Sequence, residues 1–174
     1  MIIGLTGKAR SGKDTVAEHL AVSHGFAHYW FSKPMKDACR EMFDWDDRHL
    51  YGELKEAVDP HYNISPRVAL QTLGTEWGRD TINTDMWILR AQKEMEQHDC
   101  LVISDCRFDN EAEAIHKAGG IVIEVTRQNT QQVAAHASES GVSPRLITFQ
   151  ISNNGTLPEL YRKVDRLLIE SIAA

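Results

Sequence analysis

The chain has 174 residues, a formal net charge of −6 and 25% charged residues. That length suffices for one α/β domain with a full core, and the acidic balance excludes broad binding to nucleic acid or to a membrane surface. Three cysteines, Cys39, Cys100 and Cys106, lack zinc spacing and cannot all pair, which fits a reducing cytoplasm.

The apolar start Met1-Ile2-Ile3-Gly4-Leu5-Thr6 reads as a buried strand rather than a leader, and no apolar run approaches a membrane span. It runs into Gly7-Lys8-Ala9-Arg10-Ser11-Gly12-Lys13-Asp14-Thr15 and then a helical pattern over 13–24. Gly7 and Gly12 permit a loop whose backbone N–H groups point inward around a phosphate. Lys13 would reach the β- and γ-phosphates, and the following helix adds its dipole. GxxxxGK between strand and helix is specific for a nucleoside triphosphate. Asp14 stands where a hydroxyl residue usually follows the lysine, and the hydroxyl arrives one place later as Thr15. That shift argues for a phosphotransferase rather than a GTPase switch. Asp14 either holds a metal-bound water or is a first-turn acid favoured by the helix dipole.

A second strand is expected over 27–31 and a helix over 33–43, with Pro34 near its first turn. Lys36 occupies that first turn, where the dipole disfavours a cation, so a site role is indicated. Tyr51 to Glu56 reads as a solvated helix face, to which Lys55 belongs. Ser65-Pro66 signals a helix start, and the helical pattern spans 65–82. Val68, Leu70, Leu73 and Trp77 form its buried face, whereas Arg67 and Gln71, four apart, share another. An arginine and an amide on one face can grip a phosphate and a base edge. Arg79 binds phosphate or forms an exposed ion pair. Trp77 and Trp87 stack on a base or serve as core. A further helix is expected over 85–97.

Leu101-Val102-Ile103-Ser104-Asp105, within an expected strand over 100–104, ends in an acid at the carboxyl edge of a sheet, where ligands bind in open α/β folds. Asp105 therefore reads as holding a Mg²⁺-bound water or the acceptor's surroundings, or else as a helix N-cap. Arg107 would project over the same edge with a planar grip for a phosphate, or pair with Asp109 or Glu111. A helix over 109–118, strands over 120–126 and 147–151, and a helix over 156–172 complete the pattern. Residues 128–146 are polar and read as a cover that closes over phosphates, with Arg127 or Arg145 brought in and His136 and Glu139 inside it.

Strands alternating with helices predict an α/β fold: a five-stranded parallel sheet with helices on both faces. We read a single domain over 1–174, a helical monophosphate-binding insertion over 32–99 and a lid over 127–146.

These residues together resemble the bacteriophage-type deoxynucleoside monophosphate kinases, within the P-loop NTPases. The match runs through Gly7 to Thr15, Pro34 to Ala38, Ser65 to Thr75, Trp87, Asp105-Cys106-Arg107 and Glu111. It continues with His136 to Glu139 and Ile151-Ser152-Asn153-Asn154-Gly155. The resemblance implies transfer of the γ-phosphoryl group of ATP to a deoxynucleoside 5′-monophosphate, with Mg²⁺ held largely through water, in the cytoplasm of the cell or viral host. By position, Gly7 to Thr15 would hold the ATP phosphates, and Arg127 with Asn153-Asn154-Gly155 would flank adenine. Lys36, Arg67, Gln71, Trp87, Asp105 and Arg107 would line the monophosphate site, with Arg79 and Glu111 beside them. Catalysis is assigned to Lys13, Asp105, Arg107 and Arg127; no protein side chain is assigned as a direct metal ligand, and a homodimer stays open. Two departures stand out: Thr148 where an acid is expected, and an insertion shorter than in the larger members. Competing readings are a kinase for dephospho-coenzyme A or another small phosphorylated metabolite, and a regulatory ATPase without acceptor.

Overall fold

Five apolar strands pair in parallel in the order β2-β3-β1-β4-β5. They are β1 (Ile2–Thr6), β2 (Ala27–Tyr29), β3 (Leu101–Ile103), β4 (Ile121–Thr126) and β5 (Phe149–Ser152) in a computed structural model that describes residues 1–128 and 141–172. The helices are α1 (Lys13–His24), α2 (Lys33–Phe43), α3 (Asp47–Leu50), α4 (Pro66–Gln71), α5 (Met86–Gln97), α6 (Asp109–Lys117) and α7 (Leu157–Ile172). Thr72–Ile82 continues α4 as a π-helix, and Glu53–Glu56 and Pro144–Leu146 are single 3₁₀ turns.

The all-parallel sheet explains why β1 and β3 are apolar without alternation: every side chain in them is buried. Opposite faces of β1 meet different helices. Ile3 and Leu5 share a core with Val16, Ala17 and Leu20 of α1 and Leu160, Val164 and Leu167 of α7. Gly4 faces the other way, where a Cβ would lie 2.4 Å from Cδ1 of Ile115 on α6. Side chains alternate along a strand, so one tripeptide fixes both helical layers.

By its internal contacts the chain divides into two compact units, Met1–Trp30 with Gln92–Ala174 and Phe31–Ala91. The first holds the sheet. The second is helical, with a core of Cys39, Trp45, Leu50 and Ala69 against which Phe43, Ile64, Leu70 and Leu73 pack. Trp45 stacks on Phe43 and donates its indole N–H to Asp59 at 2.7 Å. Burial pushes the Cys39 thiol up to about 11, so it is a packing residue rather than a nucleophile.

The expected elements are all present with small shifts of boundary. The segment over 65–82 is where the local structure differs, since only its first turn and a half is α-helical. The 51–56 segment forms a 3₁₀ turn rather than a helix face. Thr148 extends the β4–β5 ladder: its N–H donates to the Val122 carbonyl at 2.8 Å, and its hydroxyl accepts from the Val122 N–H at 3.1 Å. Among the described residues, no helix is long and apolar enough to cross a membrane.

Asp109 ties the first turn of α6 to Ser143. It accepts from the Ser143 N–H at 2.8 Å and the hydroxyl at 2.6 Å, with Arg145 beside it at 3.5 Å. These donors, the Ser143 hydroxyl first, hold the Asp109 carboxyl below its ordinary range. A group depressed in the folded state stabilises the fold above its unfolded pKa, and that gain is lost as pH falls through the folded value. The stability advantage of the native chain over Asp109→Asn, read from urea midpoints, should therefore be constant near neutrality. It should shrink as pH drops below about 4.

Candidate active site

The loop after β1 is built from backbone conformations that ordinary residues avoid. Gly7, Arg10 and Gly12 have φ of 131°, 63° and 105°. At Gly7 a Cβ would lie 2.3 Å from the Val125 carbonyl oxygen of β4, so the loop can pass only with glycine there. Ser11 closes the turn by donating its N–H to the Lys8 carbonyl at 3.2 Å. Lys13 opens α1 and folds its ammonium back over the loop, donating to the carbonyls of Gly7 at 2.8 Å and Lys8 at 2.9 Å. The cation thus sits at the mouth of the loop, at the N-terminal end of α1.

A residue expected beside the adenine holds this loop from the side. Asn153, directly after β5, donates its amide to the Ser11 carbonyl at 2.8 Å, and a Cβ on Gly12 would lie 2.3 Å from that same nitrogen. Its own N–H donates to the Thr126 carbonyl at 2.7 Å, and Asn154 accepts from the Gln128 N–H at 2.8 Å. Arg127, exposed, lies between those two tethers. The signal was the Asn-Asn-Gly after an expected strand, but which asparagine faces the loop depends on how β5 ends. Gly155 turns the chain into α7: a Cβ there would clash with the Glu159 carboxylate, which accepts from the Thr156 N–H at 2.8 Å.

Asp105 follows β3, the strand adjacent to β1. The next residue, Cys106, donates its N–H to the Leu5 carbonyl at 3.1 Å, which fixes the Asp105-Cys106-Arg107 turn to the end of β1. Glu111, expected beside the substrate, is 2% exposed. Its carboxylate accepts from the backbone N–H of Arg107 at 2.7 Å and of Phe108 at 3.1 Å. In this structure it secures the turn that presents Arg107, and it also caps α6. Asp109, an alternative ion-pair partner considered for Arg107, is engaged by Ser143 and Arg145. Arg145 reaches Glu113 as well, at 3.2 Å. His136 and Glu139, with residues 129–140 of the lid expected over 127–146, lie outside the described residues.

The cations of the helical unit are each held by a partner. Lys36 is buried, with Nζ 3.9 Å from the centroid of the Tyr51 ring. Arg67 donates Nε to the Glu56 carboxylate, and Gln71, half-buried, lies one turn further along α4. Arg79 is buried and donates to the Thr84 carbonyl at 3.1 Å, so its guanidinium is not at the exposed surface. Trp87 is 4% exposed and donates its indole N–H to the Gly74 carbonyl at 2.8 Å. A Cβ on Gly78 would lie 2.6 Å from its ring. In this structure Trp87 packs against the π-helix. Trp77, at 44% exposure, is the open tryptophan of this segment. Five residues per hydrogen-bonded turn displace it from the buried face that helical spacing predicts.

The sequence matches the family model for deoxynucleotide monophosphate kinase over residues 48–164. The chain belongs to that family. A protein of Acanthamoeba polyphaga mimivirus is 34% identical over 182 residues, covering 94% of this chain and 94% of its own. A deoxynucleotide monophosphate kinase of Escherichia phage RB69 is 31% identical over 132 residues, covering 72% of this chain and 54% of its own. The shikimate kinase of Aquifex aeolicus superposes over 100% of this chain and 99% of its own, with a TM-score of 0.55 at 12% identity; that likeness speaks for the fold alone.

The Asn153 amide makes one neutral hydrogen bond to the loop, a contact of about 1 kcal/mol, and leaving the Ser11 carbonyl unpaired adds to its loss. Asn153→Ala should weaken binding of a non-hydrolysable nucleoside triphosphate analogue roughly tenfold by titration calorimetry. An unchanged affinity would remove the brace from the site.

Proposed function

We propose that the chain transfers the γ-phosphoryl group of ATP to a deoxynucleoside 5′-monophosphate, giving ADP and a deoxynucleoside diphosphate. The observation that carries this reading is the loop of Gly7 to Thr15, with Lys13 at its mouth and no space for a side chain on Gly7. Membership of the kinase family supports the acceptor class.

Among the described residues the buried Ser11 hydroxyl has no hydrogen-bond partner, which suits a loop that completes itself around an oxygen-rich ligand. When phosphates enter, the Lys13 ammonium exchanges the carbonyls of Gly7 and Lys8 for β- and γ-phosphate oxygens. Arg127, tethered on both sides, flanks the adenine together with the turn at Asn154 and Gly155. Asp14 and Asp105 are oxygen donors of the kind that would hold Mg²⁺ through water, and the Thr15 hydroxyl would face the phosphates. The ion would supply charge neutralisation.

For the acceptor, Arg107 provides a planar fork on a turn that Glu111 holds in place. Lys36, Arg67 and Arg79 are the cations of the helical unit assigned to the monophosphate, with Gln71 offering its amide to the base edge. Trp87 shapes that unit through Gly74 and Gly78. The acceptor phosphate is already a nucleophile at neutral pH, so transfer requires no strong base. Positioning and charge neutralisation suffice.

An ADP-release assay across deoxynucleoside monophosphates, ribonucleoside monophosphates and dephospho-coenzyme A tests the acceptor. Turnover should be highest with a deoxynucleoside monophosphate; ADP release indifferent to every acceptor would indicate a plain ATPase. Lys13→Ala should lower turnover about 100- to 1,000-fold, the scale for removing one charge-stabilising donor at a phosphoryl-transfer centre. Near-native turnover in that variant would overturn the role given to the loop.

A further inference from the structure

α1 and α7 meet at a group of side chains that phosphoryl transfer does not use. His19 and His24 of α1 both set Nε2 against one oxygen of Asp165 on α7, at 2.7 and 2.8 Å. The three ligand-type atoms lie within 4.8 Å of one another. A helix-to-helix ion pair requires a single imidazole; here two converge on one carboxylate.

The rings are held in that orientation. His19 stacks on Tyr161, with centroids 4.1 Å apart and planes 7° from parallel. Its second nitrogen, Nδ1, faces the Ser23 hydroxyl at 3.2 Å. A hydroxyl can donate or accept, so Ser23 accommodates either tautomer of His19. With Nδ1–H donating to Ser23, the Nε2 lone pair is directed into the cluster. That is the arrangement in which a histidine ligates a metal and a neighbour fixes its ring. His24 stands edge-on to His19 with centroids 5.2 Å apart, in the last turn of α1.

We propose that His19, His24 and Asp165 form a three-ligand site for a divalent transition-metal ion of the zinc class, with water in the fourth position. Two imidazoles and one carboxylate are the donor set of such ions rather than of Mg²⁺, which takes oxygens. Ligand atoms at bonding distances of about 2.0–2.2 Å around a tetrahedral ion stand roughly 3.3–3.5 Å apart. The imidazole–carboxylate contacts thus need to open by less than 1 Å, by about the difference between those spacings and a hydrogen bond. His24 and Asp165 are partly exposed and have room to make that change. Occupancy would clamp α1, which leads out of the phosphate loop, to α7, which follows the Asn153 turn.

Zinc chloride titrated into the chelator-stripped full chain should bind at one ion per chain and raise the melting temperature. His24→Asn and Asp165→Asn should each lower that affinity by roughly tenfold or more and abolish the thermal shift. His98→Gln, which alters an exposed histidine outside the cluster, should bind as the native chain does. Cobalt chloride offers a check that needs no variant: intense visible bands mark tetrahedral ligation. Weak octahedral bands, no zinc uptake by the native chain, or unchanged zinc affinity in the double variant His24→Asn/Asp165→Asn would each overturn the site.

Discussion

The sheet-bearing unit depends on how closely β4 approaches the end of β1. At Gly7 the Val125 carbonyl fills the space a side chain would need. The chain passes there only because Gly7 has no side chain; its φ is positive, and two more positive-φ residues, Arg10 and Gly12, follow. Such a run turns successive peptide N–H groups toward one point, so the geometry that avoids a clash also makes an anion cradle. α1 then begins at Lys13 and adds the positive end of its dipole. The cradle is therefore a consequence of sheet order: β4 beside β1 imposes the turn, and β5 beside β4 delivers Asn153 to its flank.

The helical unit solves a different problem, that of keeping cations in place within an acidic chain. Lys36, Arg67 and Arg79 are each restrained, by a tyrosine ring, a carboxylate and a carbonyl respectively. Burial first, with Asp37 adding to it, raises the Tyr51 phenol above its ordinary pKa. The ring under Lys36 thus stays neutral, and the contact is a cation on a π-face. Restraint matters because a long side chain ordered before ligand arrives loses less entropy on binding. The π-helix contributes by bringing Gly78 so close to the Trp87 indole that a Cβ there would collide with the ring, while the Gly74 carbonyl accepts from the indole N–H and a Cβ on Gly74 would meet the Met35 sulfur.

What was legible in the sequence was local. The loop announces itself because its glycines, lysine and flanking elements lie within a short segment, and the strands because parallel strands are continuously apolar. The limits of α1 and α2 follow from Gly12, Gly25 and Pro34. What was not legible depends on contacts distant in sequence or on a change of winding. An apolar tryptophan at helical spacing reads the same whether it packs or stacks, and the hydrogen bond of Trp87 to Gly74 is visible only in the structure. Asn153 and Asn154 are alike as residues, and the end of β5 decides which one braces the loop. Glu111 was read as a substrate residue, whereas its burial onto two backbone N–H groups is a matter of how α6 starts.

Transfer between two phosphates brings anions together, so the barrier is dominated by repulsion rather than by proton movement. Neutralising that repulsion is a matter of dielectric as much as of counting cations. A charge pair 4 Å apart gains about 1 kcal/mol in water and about 4 kcal/mol where the effective dielectric constant is near 20. A chain with a net charge of −6 cannot rely on its overall field to attract or neutralise phosphates. It must place a few cations where water is scarce and hold them there. Under the proposed function, burial of Lys36 and Arg79, the fold of Lys13 over its own loop, and the turn that Glu111 secures under Arg107 would be four local answers to that one requirement.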